Sequence, residues 1–204
     1  MKFVFNKIII FVVVVLSSAM VCGYTNADNE QIVTDFKLQN IDGKQVSLSN
    51  YPDAKGFIII FTCNHCPFAK LYPQRFNEMN SKYKALGVPL IAISSTDTIS
   101  YEEDTYRKMR QKSNKEHFNF PYLFDGTQVV AKNFKAQKTP HAFVIWKING
   151  NWIVKYNGAI DDNGMEPEKV KTHFVSNAVE ELLNGKEVTE RETKSIGCQI
   201  YLRK

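Results

Sequence analysis

Cysteine is scarce in this chain, with four among 204 residues, and only Cys63, Cys66 and Cys198 fall well inside it. Three cysteines in a domain of this size do not build a disulfide framework. Such residues serve chemistry or stay buried as small apolar groups. A second Cys-x-x-Cys is lacking, and so is a His-x3-His, which removes the ordinary zinc-site pattern. The sequence has no block of five or six like charges and no basic stripe interleaved with aromatics. Nucleic-acid binding is therefore not expected, although the net charge is +5. Repeats and low-complexity segments are also missing, so the chain is not a solenoid, collagen or a disordered linker.

What is present suits one globular domain behind a targeting segment. Hydrophobic residues make up 44% of the chain, enough for a packed core. Lys2 and Lys7 form a positive start, Ile8 to Leu16 is unbroken apolar sequence, and Ser17, Ser18 and Ala19 are small. The apolar run is shorter than the roughly 20 residues a spanning helix needs. Residues 1–27 therefore read as a signal peptide or an N-terminal anchor, with cleavage after Ala19 or Ala27. Residues 28–204 form the folded domain. Export to the periplasm or cell envelope follows, with membrane attachment only through an uncleaved N-terminus. Cys22 follows Val21, where lipoprotein signals resemble one another in carrying Gly, Ala or Ser, so lipidation is not expected.

The element pattern is α/β. Phe36 and Leu38 alternate with polar residues, Asp42-Gly43 turns, and Val46 and Leu48 alternate again, a hairpin signal. Gly56 to Thr62 is continuously apolar, as a strand buried on both faces would be. It runs into Cys63-Asn64-His65-Cys66-Pro67, and a helix is expected directly after, carrying Leu71, Phe76, Met79 and Tyr83 and ending at Gly87. Val88 to Ser95 is a second buried strand. Ser100 and Glu103 predict a capping box that opens a polar helix through Lys115. A short aromatic strand (118–124), a short helix (128–134) and a third buried strand (142–146) follow, the last preceded by Thr139-Pro140. Asn149-Gly150 predicts a tight hairpin. Glu166-Pro167 predicts the opening of a last helix through Leu183, and a tail begins at Val188.

The chemistry lies at Cys-x-x-Cys between a strand and a helix. Free N–H groups at a helix start, together with the helix dipole, stabilise a thiolate and make it reactive. On that argument Cys63 is the attacking sulfur and Cys66, one turn on, resolves the mixed disulfide. His65 between them would stabilise the thiolate further. A lone Cys-x-x-Cys also matches half a zinc site, but its position between strand and helix, with Thr139-Pro140 downstream, favours redox chemistry.

These motifs, with Phe120-Pro121-Tyr122, Asp125 and the Ile196-Gly197-Cys198 tail, resemble the thioredoxin-like branch of the peroxiredoxin family, alkyl hydroperoxide reductase and thiol-specific antioxidant (AhpC/TSA). The resemblance covers nearly all of the chain after the targeting segment. It implies a thioredoxin fold, with a mixed central sheet flanked by helices and an N-terminal β-hairpin extension. It implies a cis-proline at Pro140, facing Cys63 and Cys66, with Thr139 beside it. It implies an exported thiol-disulfide oxidoreductase with no cofactor, acting on disulfide-containing or dithiol proteins through a redox partner protein.

One departure bears on the activity. Peroxiredoxins resemble one another in Thr-x-x-Cys, where threonine and a downstream arginine orient peroxide. With Cys66 aligned to the peroxide-reacting cysteine, Cys63 stands at the threonine position, so the pattern is nearer thioredoxin. Arg75 is the nearest candidate arginine, and a solvated helix position is its plainer reading. Peroxide reduction remains an alternative. So does a copper chaperone, since copper-handling thioredoxin-fold proteins resemble this chain in two cysteines before a proline and a distant histidine, here Cys63, Cys66 and His141. Their cysteine spacing is one residue wider, and no metal site is expected.

Plain structural roles come first elsewhere. His141 reads as a strand-edge residue satisfied by backbone, with facing the thiols as the alternative. His117 and His173 read as surface residues. Cys198 reads as a small buried residue without a cysteine neighbour, with a third redox thiol as the alternative. Glu102, Glu103 and Asp104 read as a solvated helix start, and Asp161 and Asp162 as turn residues.

Overall fold

The computed structural model describes residues 30–203. The targeting segment expected over residues 1–27, with its cleavage points and Cys22, lies outside them. Among the described residues no helix is long and apolar enough to cross a membrane.

The strands are β1 (Ile32–Val33), β2 (Lys37–Asn40), β3 (Gln45–Ser47), β4 (Gly56–Phe61), β5 (Leu90–Ser94), β6 (Tyr122–Phe124), β7 (Lys138–Thr139), β8 (His141–Ile148), β9 (Asn151–Gly158) and β10 (Cys198–Gln199). The α-helices are α1 (Pro73–Tyr83), α2 (Tyr106–Lys115), α3 (Val129–Phe134) and α4 (Phe174–Leu183). Eight strands form one mixed sheet in the order β1-β9-β8-β4-β5-β6-β2-β3. β4, β5 and β6 run parallel, and β8 is antiparallel to β4. The two remaining strands, β7 and β10, pair with each other. This is the thioredoxin-like α/β plan, with the hairpin β2–β3 added on one edge.

The apolar run of β4 explains its central place. All six of its residues are buried, and alternate side chains enter different cores. Ile58 and Ile60 meet Phe76 and Met79 of α1 and Val175 and Val179 of α4. Phe57, Ile59 and Phe61 meet Phe134 of α3 and Phe143 of β8. Each such side chain contributes roughly 1.5–3 kcal/mol of burial. Asn149 and Gly150 turn β8 into β9 with φ of +49° and +82°, the left-handed pair that a tight hairpin requires.

Three helix starts differ from the sequence reading. The chain after Cys66 makes a loop and a single 3-10 turn over Ala69–Leu71 before α1 begins at Pro73. Cys66 precedes Pro67, whose ring disfavours helical backbone at the residue before it. No Ser100–Glu103 capping box forms. Ser100 instead donates to Asp97 at 2.8 Å, and α2 begins at Tyr106. Glu166-Pro167 opens only a 3-10 turn over Pro167–Lys169, and α4 starts at Phe174. Proline suits any first helical turn, a short 3-10 one included.

Candidate redox site

β4 ends at Phe61 and delivers residues 62–66 to the end of the sheet, beside the loop between β7 and β8. The Thr139–Pro140 peptide bond is cis, as expected. Cys63 Sγ lies 3.2 Å from Thr139 Oγ1, and the Cys66 thiol donates to the Thr139 carbonyl at 2.9 Å. The two sulfurs are close enough that the titration of each depends on the other. Cys63, Cys66, Thr139 and Pro140 are therefore assembled in one place. Both cysteines are completely buried and reduced.

Asp104 holds the loop from behind. It is fully buried and accepts the backbone N–H of Asn64 at 2.5 Å and of His65 at 3.3 Å. It also pairs with Nδ1 of His65. The His65 ring stacks on Tyr101, with centroids 3.9 Å apart. Asn64 donates to the Glu103 carbonyl at 2.6 Å and accepts from the Tyr122 hydroxyl at 3.1 Å. Lys112 of α2 donates to the Cys63 carbonyl at 3.2 Å. Burial lowers its ammonium pKa, against the pull of Cys63 and Asp104. Asp104 is thus no solvated helix start. Its place at the end of an acidic triplet hid it, since nothing in the local pattern distinguishes the one carboxylate that turns inward. Asn64, Tyr101, Lys112 and Tyr122 were missed for a similar reason: each lies far along the chain or carries no motif.

The pair titrates unequally. Cys66 is lowered to about 4, first by the hydrogen bond from Cys63, with burial opposing. The Cys198 thiol and the backbone N–H groups of Ala69 and Cys198 add to the lowering. The Thr139 carbonyl favours neutral Cys66, and the N–H and S–H donors outweigh it. Cys63 is raised by giving its proton toward Cys66, by burial and by the charge of Asp104, against the Thr139 hydroxyl and the Cys66 backbone N–H. This reverses the expected order, in which Cys63 is the ionised sulfur. The N–H of Ala69, at the start of the 3-10 turn, and that of Cys198 reach Cys66, while Cys63 has only the N–H of Cys66.

Cys198 stands beside the pair and not apart from cysteine neighbours. Its backbone N–H donates to Cys66 Sγ at 3.4 Å, and it packs on Cys63, Cys66 and Ala69. Its thiol is pushed up to about 11 by burial and by Cys66.

Other candidates lie elsewhere. His141 accepts the Gln137 N–H at 3.2 Å and packs on Phe143. It is buried, and burial lowers it to about 4. Among the described residues, the one group of Cys, His and acidic side chains near enough to share an ion is Cys63, His65 and Asp104, within 4.8 Å of one another. The set Cys63, Cys66 and His141 is not brought together as such a group. Arg75 is not a solvated helix residue. It pairs with buried Asp161 at 2.6 Å and donates to the carbonyls of Asn163 and Gly164. Asp161 is thereby more than a turn residue, while Asp162, His117 and His173 are exposed, as expected.

A sheet of this order, with a Cys-x-x-Cys loop facing a cis-proline, defines a thioredoxin-like redoxin. The chain belongs to the AhpC/TSA family, whose family model matches residues 30–162. No curated protein matches the sequence. Among solved structures it is similar to an uncharacterized conserved protein of Geobacillus kaustophilus, at 32% identity and TM-score 0.78, covering 85% of this chain and 92% of that one. It is also similar to a hypothetical protein of Sinorhizobium meliloti, at 28% identity and TM-score 0.78, covering 85% and 94%. The exposed lipoprotein thioredoxin Etrx1 of Streptococcus pneumoniae shares the fold at 16% identity and TM-score 0.54, covering 74% and 99%.

Proposed function

We propose that this protein is an exported thiol-disulfide oxidoreductase in which Cys63 and Cys66 cycle between dithiol and disulfide. The observation carrying this reading is the placing of two buried sulfurs against Thr139, beside the cis Pro140. With Cys66 ionised and Cys63 holding a proton, passing two electrons to a client disulfide and releasing that proton joins the sulfurs. Delivery outside the cytoplasm rests on Lys2, Lys7 and the apolar run from Ile8 to Leu16. The clients are proteins that carry disulfides or dithiols, with a redox partner protein resetting the pair. No cofactor takes part in the exchange.

The test is insulin reduction with dithiothreitol as electron source. Cys66→Ser is expected to lower the rate by about a hundredfold or more, because the central sulfur is lost, and Cys63→Ser by about tenfold, because Cys66 is then left only Cys198 as its partner. Rates equal to wild type in either variant overturn the reading. A second reading, peroxide reduction at Cys66, is favoured by its ionised state. In that case stopped-flow consumption of hydrogen peroxide survives Cys63→Ser and disappears in Cys66→Ser.

A further inference from the structure

Cys63 and Cys66 have no exposed surface, whereas Cys198 is half-buried. A protein disulfide reaches a sulfur only along an open line, so the covered pair cannot meet a client directly in this arrangement. The cover is the C-terminal tail. Cys198 pairs with Thr139 across β10 and β7, and Ile200 N–H donates to the Gln137 carbonyl at 2.8 Å. Buried Gln128 clamps the tail further on, donating to the Tyr201 carbonyl at 2.9 Å and accepting the Arg203 N–H at 2.7 Å. Gly197 lets the tail lie this close, since a Cβ there would stand 2.1 Å from the Thr139 carbonyl oxygen. Beside the tail, Phe68, Tyr72, Pro140, Met165 and Ile196 form the apolar side of a cleft of about 190 Å³ whose other side carries Asp161, Asp162 and Asn163. Phe68, Met165 and Ile196 are exposed, as a surface that meets apolar protein segments would be.

We infer that Cys198 is the thiol that meets the client, and that Cys198, Cys66 and Cys63 form a three-sulfur relay with Cys66 in the middle. The inference rests on the dithiol reading above and assigns its outer partner. In the reducing direction, the Cys198 sulfur attacks the client disulfide. The client S–S bond breaks, a Cys198–client bond forms, and the departing client sulfur takes the Cys198 proton. Cys66 then attacks Cys198, forming a Cys66–Cys198 bond and releasing the second client thiolate, which takes a proton from water. Cys63 attacks Cys66, forming the Cys63–Cys66 bond, and its proton goes to the departing Cys198. Two electrons pass from the dithiol to the client disulfide, and Cys198 ends as a thiol.

Three measurements test the relay. Reduced Cys66→Ser is mixed with insulin and mapped by mass spectrometry without reductant. The insulin chain is expected on Cys198, and attachment to Cys63 alone overturns the relay. Cys63→Ser oxidised with diamide is expected to yield a Cys66–Cys198 disulfide, and its absence overturns the relay too. Cys198→Ser is expected to reduce insulin about tenfold more slowly, because exchange then waits for the tail to open. Undiminished turnover in that variant refutes the assignment. Diamide-treated Cys198→Ser should still form the Cys63–Cys66 disulfide, which separates loss of the relay from loss of the dithiol itself. Failure of wild type to form that disulfide rejects the dithiol reading, and the relay with it.

Discussion

His141 is buried in β8 with an imidazole lowered to about 4, mainly by burial. Its ordinary value is 6.5, so between these limits the unfolded chain binds a proton that the folded chain refuses. The contribution is complete above pH 6.5 and lost as pH falls toward 4, by up to about 3 kcal/mol. Urea unfolding at pH 7 and pH 4.5 should show wild type losing about 2 kcal/mol more than His141→Gln, which has no such proton to refuse. Equal losses in both proteins would mean that the imidazole is solvated. At this scale the sequence shows which residue types are reactive but not how they are charged. Cys63 and Cys66 are identified by spacing alone, yet which sulfur ionises depends on Ala69, Asp104 and Cys198. Two of those three are more than 30 positions away from the pair, beyond the reach of a local pattern.

Strand β10 is two residues long and has no periodicity to read. Its existence depends on β7, which is as short and lies far back along the chain. The long elements were legible because their burial is written in their order of residues. β4 is apolar throughout, and α4 carries Val175, Ala178, Val179 and Leu182 on one buried face. Helix starts were less legible, since Pro67, Ser100 and Pro167 each satisfy a local rule that the packed chain overrides. Gly197→Ala tests the docking of the tail. A Cβ pressed into the Thr139 backbone must displace β10 from β7. Iodoacetamide should then alkylate Cys66 about tenfold faster, with little change in global stability, as expected for a local opening. Unchanged alkylation would show that the strand accommodates the methyl group in place.

At the scale of the molecule, the described residues pack into two large cores divided by one sheet, with a small cluster at the cysteines. α1 and α4 pack on one face and α3 on the other. Truncations on opposite faces should therefore act independently. Val179→Ala is expected to cost about 1–3 kcal/mol and Phe134→Ala about 3–5 kcal/mol. In urea titrations the double variant should lose the sum to within about 0.5 kcal/mol. A markedly smaller loss would mean that the two cores communicate through the sheet.

By itself the sequence determined the α/β class, the central buried strands and the cysteine pair, because hydrophobic period and motif spacing are local properties of the chain, while the cis-proline at Pro140 was implied by the family resemblance. Only the tertiary structure decided that the surrounding donors lower the pKa of Cys66, that Asp104 turns inward and that Cys198 packs on the pair. Each of these depends on groups distant in sequence meeting in a space from which water is excluded. There, one hydrogen bond or one buried charge outweighs any intrinsic preference of the residue.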